Sequence, residues 1–582
     1  MRVFGYLYTQ INFSKQIFDK TMNKKVFYLA MGVAVIGMTG CSKKLGQFKS
    51  DFFTTVPTPL ETVGENVPGN ITGNIPAKFM VKNAKVTATP VIQWAEGSEV
   101  SASPVIVQGE NVRANGQVVS YNNGGTVSIP FNMLYQPEMA KSDLYLDFSV
   151  DQNGKIYALP RVKVGYGVIS TSTLASAKTV TPALAKDNFQ RIINEKYSAD
   201  IHFLINQANI RSNQTDKPDY IDLNKRLLEA NKAANQEIAG ITINSYASPD
   251  GALSFNTQLA EKRESNTANY VENQLKKDKI TEFGELTSSF TPEDWEGFQK
   301  LVEKSNIQDK ELILSVLKMY PDPEQREQEI RNLSSVFNEL ADQILPQLRY
   351  SRVMASINVI GKSDQELIQL FNTDPKALTV DEILYIATLT DDNTKKMEVY
   401  NKACELYPKD YRTFNDLGLT QYVAGDYASA KSNFQRALRI NPSAKEPEMN
   451  LGLISMIDHN YAKAQEQFGA AAGVPEAADA MGVYYLSQGD LSKAIRSFGD
   501  SKTNNAALAQ ILAQDYTTAK STLAGIKTPD ATTYYLTAIL GARTNNENMV
   551  MSNLRQAVKL DSELRARAKS DLEFAKYNLS YL

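Results

Sequence analysis

The chain has 582 residues, room for several domains by the usual length prior, and its 62 Lys and Arg against 65 Asp and Glu leave a formal net charge of −3. That balance supplies no strong basic field and argues against a nucleic-acid partner. With two cysteines and two histidines in all, there is no disulfide framework and no Cys/His cluster at zinc-ligand spacing, and neither a phosphate-binding loop nor a dinucleotide fingerprint is present, so no metal and no cofactor is expected.

Residues 1–21 fit no targeting pattern and are set aside as an upstream-start artefact. The first signal begins at Met22: Asn23, Lys24 and Lys25 form a basic start, 26–37 an uncharged apolar run, and Met38-Thr39-Gly40-Cys41 a small-residue ending. This is the pattern of a secretory signal peptide over 22–40, with an apolar core shorter than the roughly 20 residues of a membrane span. The ending resembles a bacterial lipobox. That resemblance implies lipidation of Cys41 and anchorage at a membrane surface by lipid alone. Ser42, Lys43 and Lys44 follow, without the acidic cluster that sends some lipoproteins to the cell surface, and point to the periplasmic face of the outer membrane.

Residues 41–70, rich in Pro, Gly, Asn and Thr, read as a tether. From 71 to 168 short alternating runs recur: 85–89, 126–129, 144–148 and 161–164, parted by Asn and Gly clusters at 115–116, 122–125 and 153–154. This spacing predicts a small antiparallel β-sandwich. Trp94 is assigned to its core or to a sheet face.

The next region, 185–362, alternates strand and helix. Residues 199–205 and 241–246 read as strands, 220–234 and 256–275 as helices, and the order implies an α/β layer. Tyr246, Gly251, Asn256, Leu259, Ala260 and Arg263 reproduce the turn-and-helix motif of the OmpA-like peptidoglycan-binding domain, and this stretch resembles that family. Residues 351–357 match its last strand, with a helical insertion at 276–349 that the family core lacks. The resemblance implies that a turn Asp and the helix Arg together hold the diaminopimelate of a peptidoglycan stem peptide: Arg offers a planar fork to a carboxylate. Arg263 stands at the Arg position. Ser248 occupies the Asp position and carries no charge, Asp250 lies two residues on in the same turn, and Asn256 starts the helix. Two readings of Arg263 stay open, a stem-peptide ligand and a solvated helix arginine paired to Glu264 or another local acid.

The last region, 376–582, repeats. Phe414, Leu417, Gly418, Ala430, Phe434 and Ala437 are followed by Leu451, Gly452, Ala464, Phe468 and Ala471, with Ala430 and Ala464 at an interval of 34 residues. Gly482, Tyr485, Ala494 and Phe498 form a shortened unit, and degraded ones follow. These residues resemble tetratricopeptide repeats, whose units bury their faces only by stacking into an all-α solenoid. The resemblance implies a groove for a protein partner, with Asn415 and Asn450 at polar first-helix positions. Cys404, in a helical pattern, reads as a small buried hydrophobe. The two histidines, His202 in a strand-like run and His459 in a turn, fit no nucleophile arrangement, and no paired carboxylates are legible, so no enzyme is expected. The reading is a multidomain, non-enzymatic envelope lipoprotein that binds peptidoglycan and a partner protein. Its alternative is a subunit of an outer-membrane assembly or secretion complex whose OmpA-like domain has lost the wall.

Overall fold

The computed structural model describes residues 44–582 apart from 308, 333 and 581, so Cys41 and the 22–40 leader lie outside the described residues. The chain divides into two units: residues up to 176 together with 485–582, and residues 177–484. Among the described residues no helix is long and apolar enough to cross a membrane.

Period-two alternation builds the sheet-rich part of the first unit. In Gly125–Leu134, Val127, Ile129, Phe131 and Met133 are buried while the residues between them are exposed, and Asp143–Gln152 buries Leu144, Leu146, Phe148 and Val150 between half-buried or exposed neighbours. One sheet runs Phe53–Val56, Asn66–Ile75, Gly125–Leu134, antiparallel throughout. The other has the order Lys155–Tyr166, Asp143–Gln152, Ala84–Ala95, Val105–Gly109, Gln117–Val119, with only the last pair parallel; Ser98–Ser101 adds to Ala84–Ala95. Ile71 and Ile129 of the first sheet join Val86, Leu146 and Val150 of the second in one core, each fully buried apolar side chain contributing about 1.5–3 kcal/mol. Trp94 packs partly buried against it.

The tether expected over 41–70 is corrected from residue 45 onward. Leu45, Phe48 and Phe53 are buried, Phe48 stacks on Phe148 with ring centroids 4.3 Å apart, and strands begin at Phe53. A composition rich in turn formers hid three anchoring apolar residues, because tether composition is an average and burial is decided residue by residue. The strands accordingly run from 53 to 169 and not from 71 to 168.

In the second unit a four-stranded sheet has the order Ile192–His202, Tyr350–Ile360, Gln236–Tyr246, Glu285–Thr291, antiparallel except for the last pair. The helices Pro218–Lys232 and Leu253–Lys277 place Leu223, Leu227, Val271 and Leu275 against Ile241, Ile243, Val353 and Ile357. The helical insertion is also corrected: Glu285–Thr291, expected within it, is an edge strand paired parallel with Gln236–Tyr246, and the helices run from Trp295 to Gln343. Its residues are exposed apart from a half-buried Leu286, so no alternation marked it as a strand. The insertion has its own core around Phe298, Val302, Ile313 and Leu340.

Paired helices follow in both units. In the second, Tyr411–Val423 with Tyr427–Ile440 and Lys445–Ile457 with Tyr461–Ala470 are successive pairs. Asp426 and Asn460 cap the second helix of each pair, each accepting from a first-turn amide. Gly418 and Gly452 lie under Phe434 and Phe468 so closely that an added Cβ would stand 2.7 and 2.4 Å from a ring carbon. The boundary between the units falls inside the helix Ala477–Ser487, so the repeats expected as one solenoid over 376–582 are shared between two units. In the first unit the helices continue from Leu491–Phe498 to Leu564–Ser570, and Arg543 joins them to the sheet part through Glu61 and to Glu573, itself bonded by Thr171 at 2.6 Å.

Candidate functional site

The turn after strand Gln236–Tyr246 leads into the helix Leu253–Lys277, whose buried residues Asn256, Leu259, Ala260, Arg263, Thr267 and Val271 recur at three and four residues and so share a face. That periodicity carries Arg263 inward, to zero exposure. Its Nε donates to the carbonyl of Gln207 at 3.1 Å, Nη1 to that of Tyr246 at 2.8 Å and Nη2 to that of Leu204 at 3.3 Å, and its guanidinium carbon lies 5.1 Å from the Phe203 ring centroid. Among the described residues no carboxylate lies within ion-pair distance of it. Burial first, and then the charge of Arg349, pull its pKa down to about 10 against the opposing pull of Asp250, which leaves it charged at neutral pH. The solvated arginine paired to Glu264 is therefore corrected: Glu264 instead accepts from Ser288.

Ser248 and Asp250 are brought together. Ser248 Oγ donates to Asp250 Oδ1 at 2.6 Å and accepts from Arg349 Nε at 3.1 Å, while Arg349 Nη2 donates to Asp250 Oδ2 at 2.8 Å. Asn256 closes the turn: its Nδ2 donates to the carbonyls of Ser248 at 3.2 Å and Gly251 at 2.9 Å. Arg331 of the insertion donates to the Asp250 carbonyl at 2.5 Å. Arg349 and Arg331 were missed in the sequence. They lie 99 and 81 residues from Asp250, and only the fold brings them to the turn.

A second cluster gathers on the first helices of the two pairs in the second unit. Asn450 and Asn415 are fully buried and do not line an open groove, which corrects their expected exposure to a partner. Asn450 Oδ1 accepts from the amide of Ala183 at 2.6 Å and its Nδ2 donates to the carbonyl of the same residue at 2.9 Å; Asn415 Nδ2 donates to that carbonyl at 3.0 Å, and the two asparagines bond each other at 3.0 Å. Asp416 Oδ1 accepts from the Ala185 amide at 2.9 Å. Tyr422 holds the Ala177 carbonyl, and Arg412 the carbonyls of Lys186 and Asp187 at 3.2 and 2.7 Å. Asp416 is wholly buried, and burial pushes its carboxyl up to about 8, against the lowering effects of the Ala185 amide, Asn415 and Arg412. In the first unit Asn505 repeats the device, clasping both the amide and the carbonyl of Ser176 at 3.0 and 2.9 Å. Asp416, Tyr422 and Asn505 were not singled out in the sequence: their helices carry other polar residues as well, and no local pattern set these apart.

Among the described residues no His, Cys, Asp and Glu side chains are grouped to hold a metal. His202 is partly buried, with its pKa lowered by burial and by Lys217.

These parts define a multidomain protein with a sheet-rich N-terminal part, an α/β layer and a helical-repeat region. No protein-family model matches the chain, and no curated protein matches it. Solved structures that it resembles include the APC/C hetero-tetramer Cut9-Hcn1, at 15% identity and TM-score 0.31 over 34% of this chain and 44% of that one, so the chain spans less than half of that relative. A tetratricopeptide repeat protein from Parabacteroides merdae matches at 13% identity and TM-score 0.28 over 36% of this chain and 90% of that one. PilF of Pseudomonas aeruginosa matches at 13% identity and TM-score 0.25, over 35% and 95%.

Proposed function

We propose that this chain is a non-enzymatic scaffold of the bacterial envelope, lipid-anchored through Cys41 on the periplasmic face of the outer membrane. Its OmpA-like α/β domain takes the carboxylate of a peptidoglycan stem peptide, and its tetratricopeptide-type repeats dock a partner protein. The observation that carries the wall contact is Arg263, a buried guanidinium bonded to three carbonyls and, among the described residues, to no carboxylate. Burial of a cation costs free energy that neutral carbonyls offset only in part, and an anionic ligand offsets the rest. Asp250, in the same turn, is the acceptor for the ligand's ammonium in place of the uncharged Ser248.

The experiment is co-sedimentation of the soluble chain, begun at residue 44, with peptidoglycan sacculi. Pelleting that free diaminopimelate competes away and Asp250→Ala weakens supports the wall contact; Ser248→Asp, which restores a carboxylate, should strengthen it. A folded chain that stays in the supernatant retires this reading. One observation favours the second reading, an assembly or secretion subunit that has lost the wall: Asp250 is already paired to Arg349 and Arg263 has no exposed surface. Co-purification with a barrel-assembly or export complex, without sedimentation, would establish it.

A further inference from the structure

The stretch 177–187 begins as a short 3-10 turn at Ala177–Thr179 and then has no regular secondary structure, so the helices it lies on decide its shape. Nearly every polar contact that Asn415, Asn450, Asp416, Tyr422 and Arg412 make with it is to main chain. Asn450 takes both the amide and the carbonyl of one residue, as a neighbouring β-strand would. Past the buried Val180 and Pro182 the inward side chains are small: Ala183 and Ala185 are buried, while Leu184 between them and Lys186 after them are exposed. A surface that reads main chain and admits methyl groups at alternate positions accepts any extended peptide with small residues at i and i+2, whatever stands between them.

We propose that the first-helix face of these repeats is a receptor for an extended peptide of a partner protein with small alternate residues, and that the chain's own 177–187 segment occupies it in cis as a competitor. The proposal rests on the reading that the repeats take a partner, and not on the wall contact. A tethered segment acts at an effective concentration of the order of mM, so a trans peptide of micromolar affinity is excluded until the segment is displaced. Partner binding is thereby coupled to release of the segment that leads into strand Ile192–His202.

The test uses the full chain from residue 44 and a fluorescent synthetic peptide of sequence 177–188, read by polarisation. Ala183→Arg with Ala185→Arg puts two long cations where only methyls fit, and so empties the face while leaving its asparagines intact. The opened chain should bind the peptide at least about 100-fold more tightly than the unaltered chain, and adding Asn415→Ala and Asn450→Ala should abolish that binding. An opened, folded chain that binds no peptide overturns the proposal, as does an unaltered chain that binds equally well. If the opened chain does not fold, amide exchange in the unaltered protein decides. Slow exchange at Ala183 and Ala185 that Asn450→Ala accelerates supports the proposal, and exchange at the free-peptide rate overturns it. Sedimentation with sacculi reads the wall contact separately.

Discussion

Arg349 donates to Asp250 across the turn at 2.8 Å, and with side-chain exposures of 10% and 16% the two form a largely buried ion pair. Removing one partner strands the other charge in a poorly solvated place. Arg349→Ala should destabilise the second unit by about 3 kcal/mol, the scale for breaking a buried pair. The protein has two tryptophans, Trp94 in the first unit and Trp295 in the second, so urea unfolding read by Trp295 fluorescence in a Trp94→Phe background isolates the effect. An unchanged midpoint would show that the pair contributes nothing net.

Gly452 lies under Phe468 where a Cβ would meet a ring carbon at 2.4 Å. Gly452→Ala should force the two helices apart and cost about 1–3 kcal/mol, as overpacking does, although alanine favours helix. The same Trp295 readout checks it; a gain in stability would mean that the helices part without penalty.

Asp416 gives the second unit a pH dependence of definite sign. Its carboxyl sits at about 8 in the folded chain against an ordinary 3.8, pushed up by burial. The folded state then holds a proton that the unfolded chain has released, so this group's contribution is fully present below about pH 4 and is lost as pH rises towards 8. Urea midpoints should fall between pH 5 and pH 8 in the unaltered protein. Asp416→Asn should flatten that slope and raise the midpoint at pH 8.

In the first unit Arg543 is bonded to Glu573 and Glu61, with side-chain exposures of 13%, 5% and 33%. Arg543→Ala leaves Glu573 buried and unpaired and should cost about 3–5 kcal/mol. Glu61→Gln, which removes the more exposed carboxylate, should cost less. Unfolding read by Trp94 in a Trp295→Phe background orders the two; the reverse order would place the weight of the cluster on Glu61.

Cys404 is a free thiol that burial pushes up to about 11. At pH 8 it should react with a thiol reagent far more slowly in the folded chain than in urea, since the thiolate is the reactive form. Equal rates would mean that its helix opens readily.

Much of the fold was legible because its signals are local. Thr126-Val127-Ser128-Ile129 announces a strand by its alternation, and the 34-residue interval of Ala430 and Ala464 announces a helix pair, since period and small-residue spacing act within a few turns of chain. Glu285–Thr291 was not legible, because an exposed edge strand needs no apolar alternation and is held by its neighbour's main chain.

By itself the sequence determined which residue types stand at the turn and on the repeats: Arg263, Ser248, Asp250, Asn256, Asn415 and Asn450. Only the tertiary structure decided what they touch. Arg263 meets carbonyls from a segment more than fifty residues away, Asp250 meets Arg349 from beyond the insertion, and Asn450 meets Ala183 from 267 positions earlier. Polar side chains carry their donors and acceptors wherever they stand, but the partner that satisfies them is set by which distant backbone the hydrophobic cores bring within 3 Å, and no local pattern encodes that.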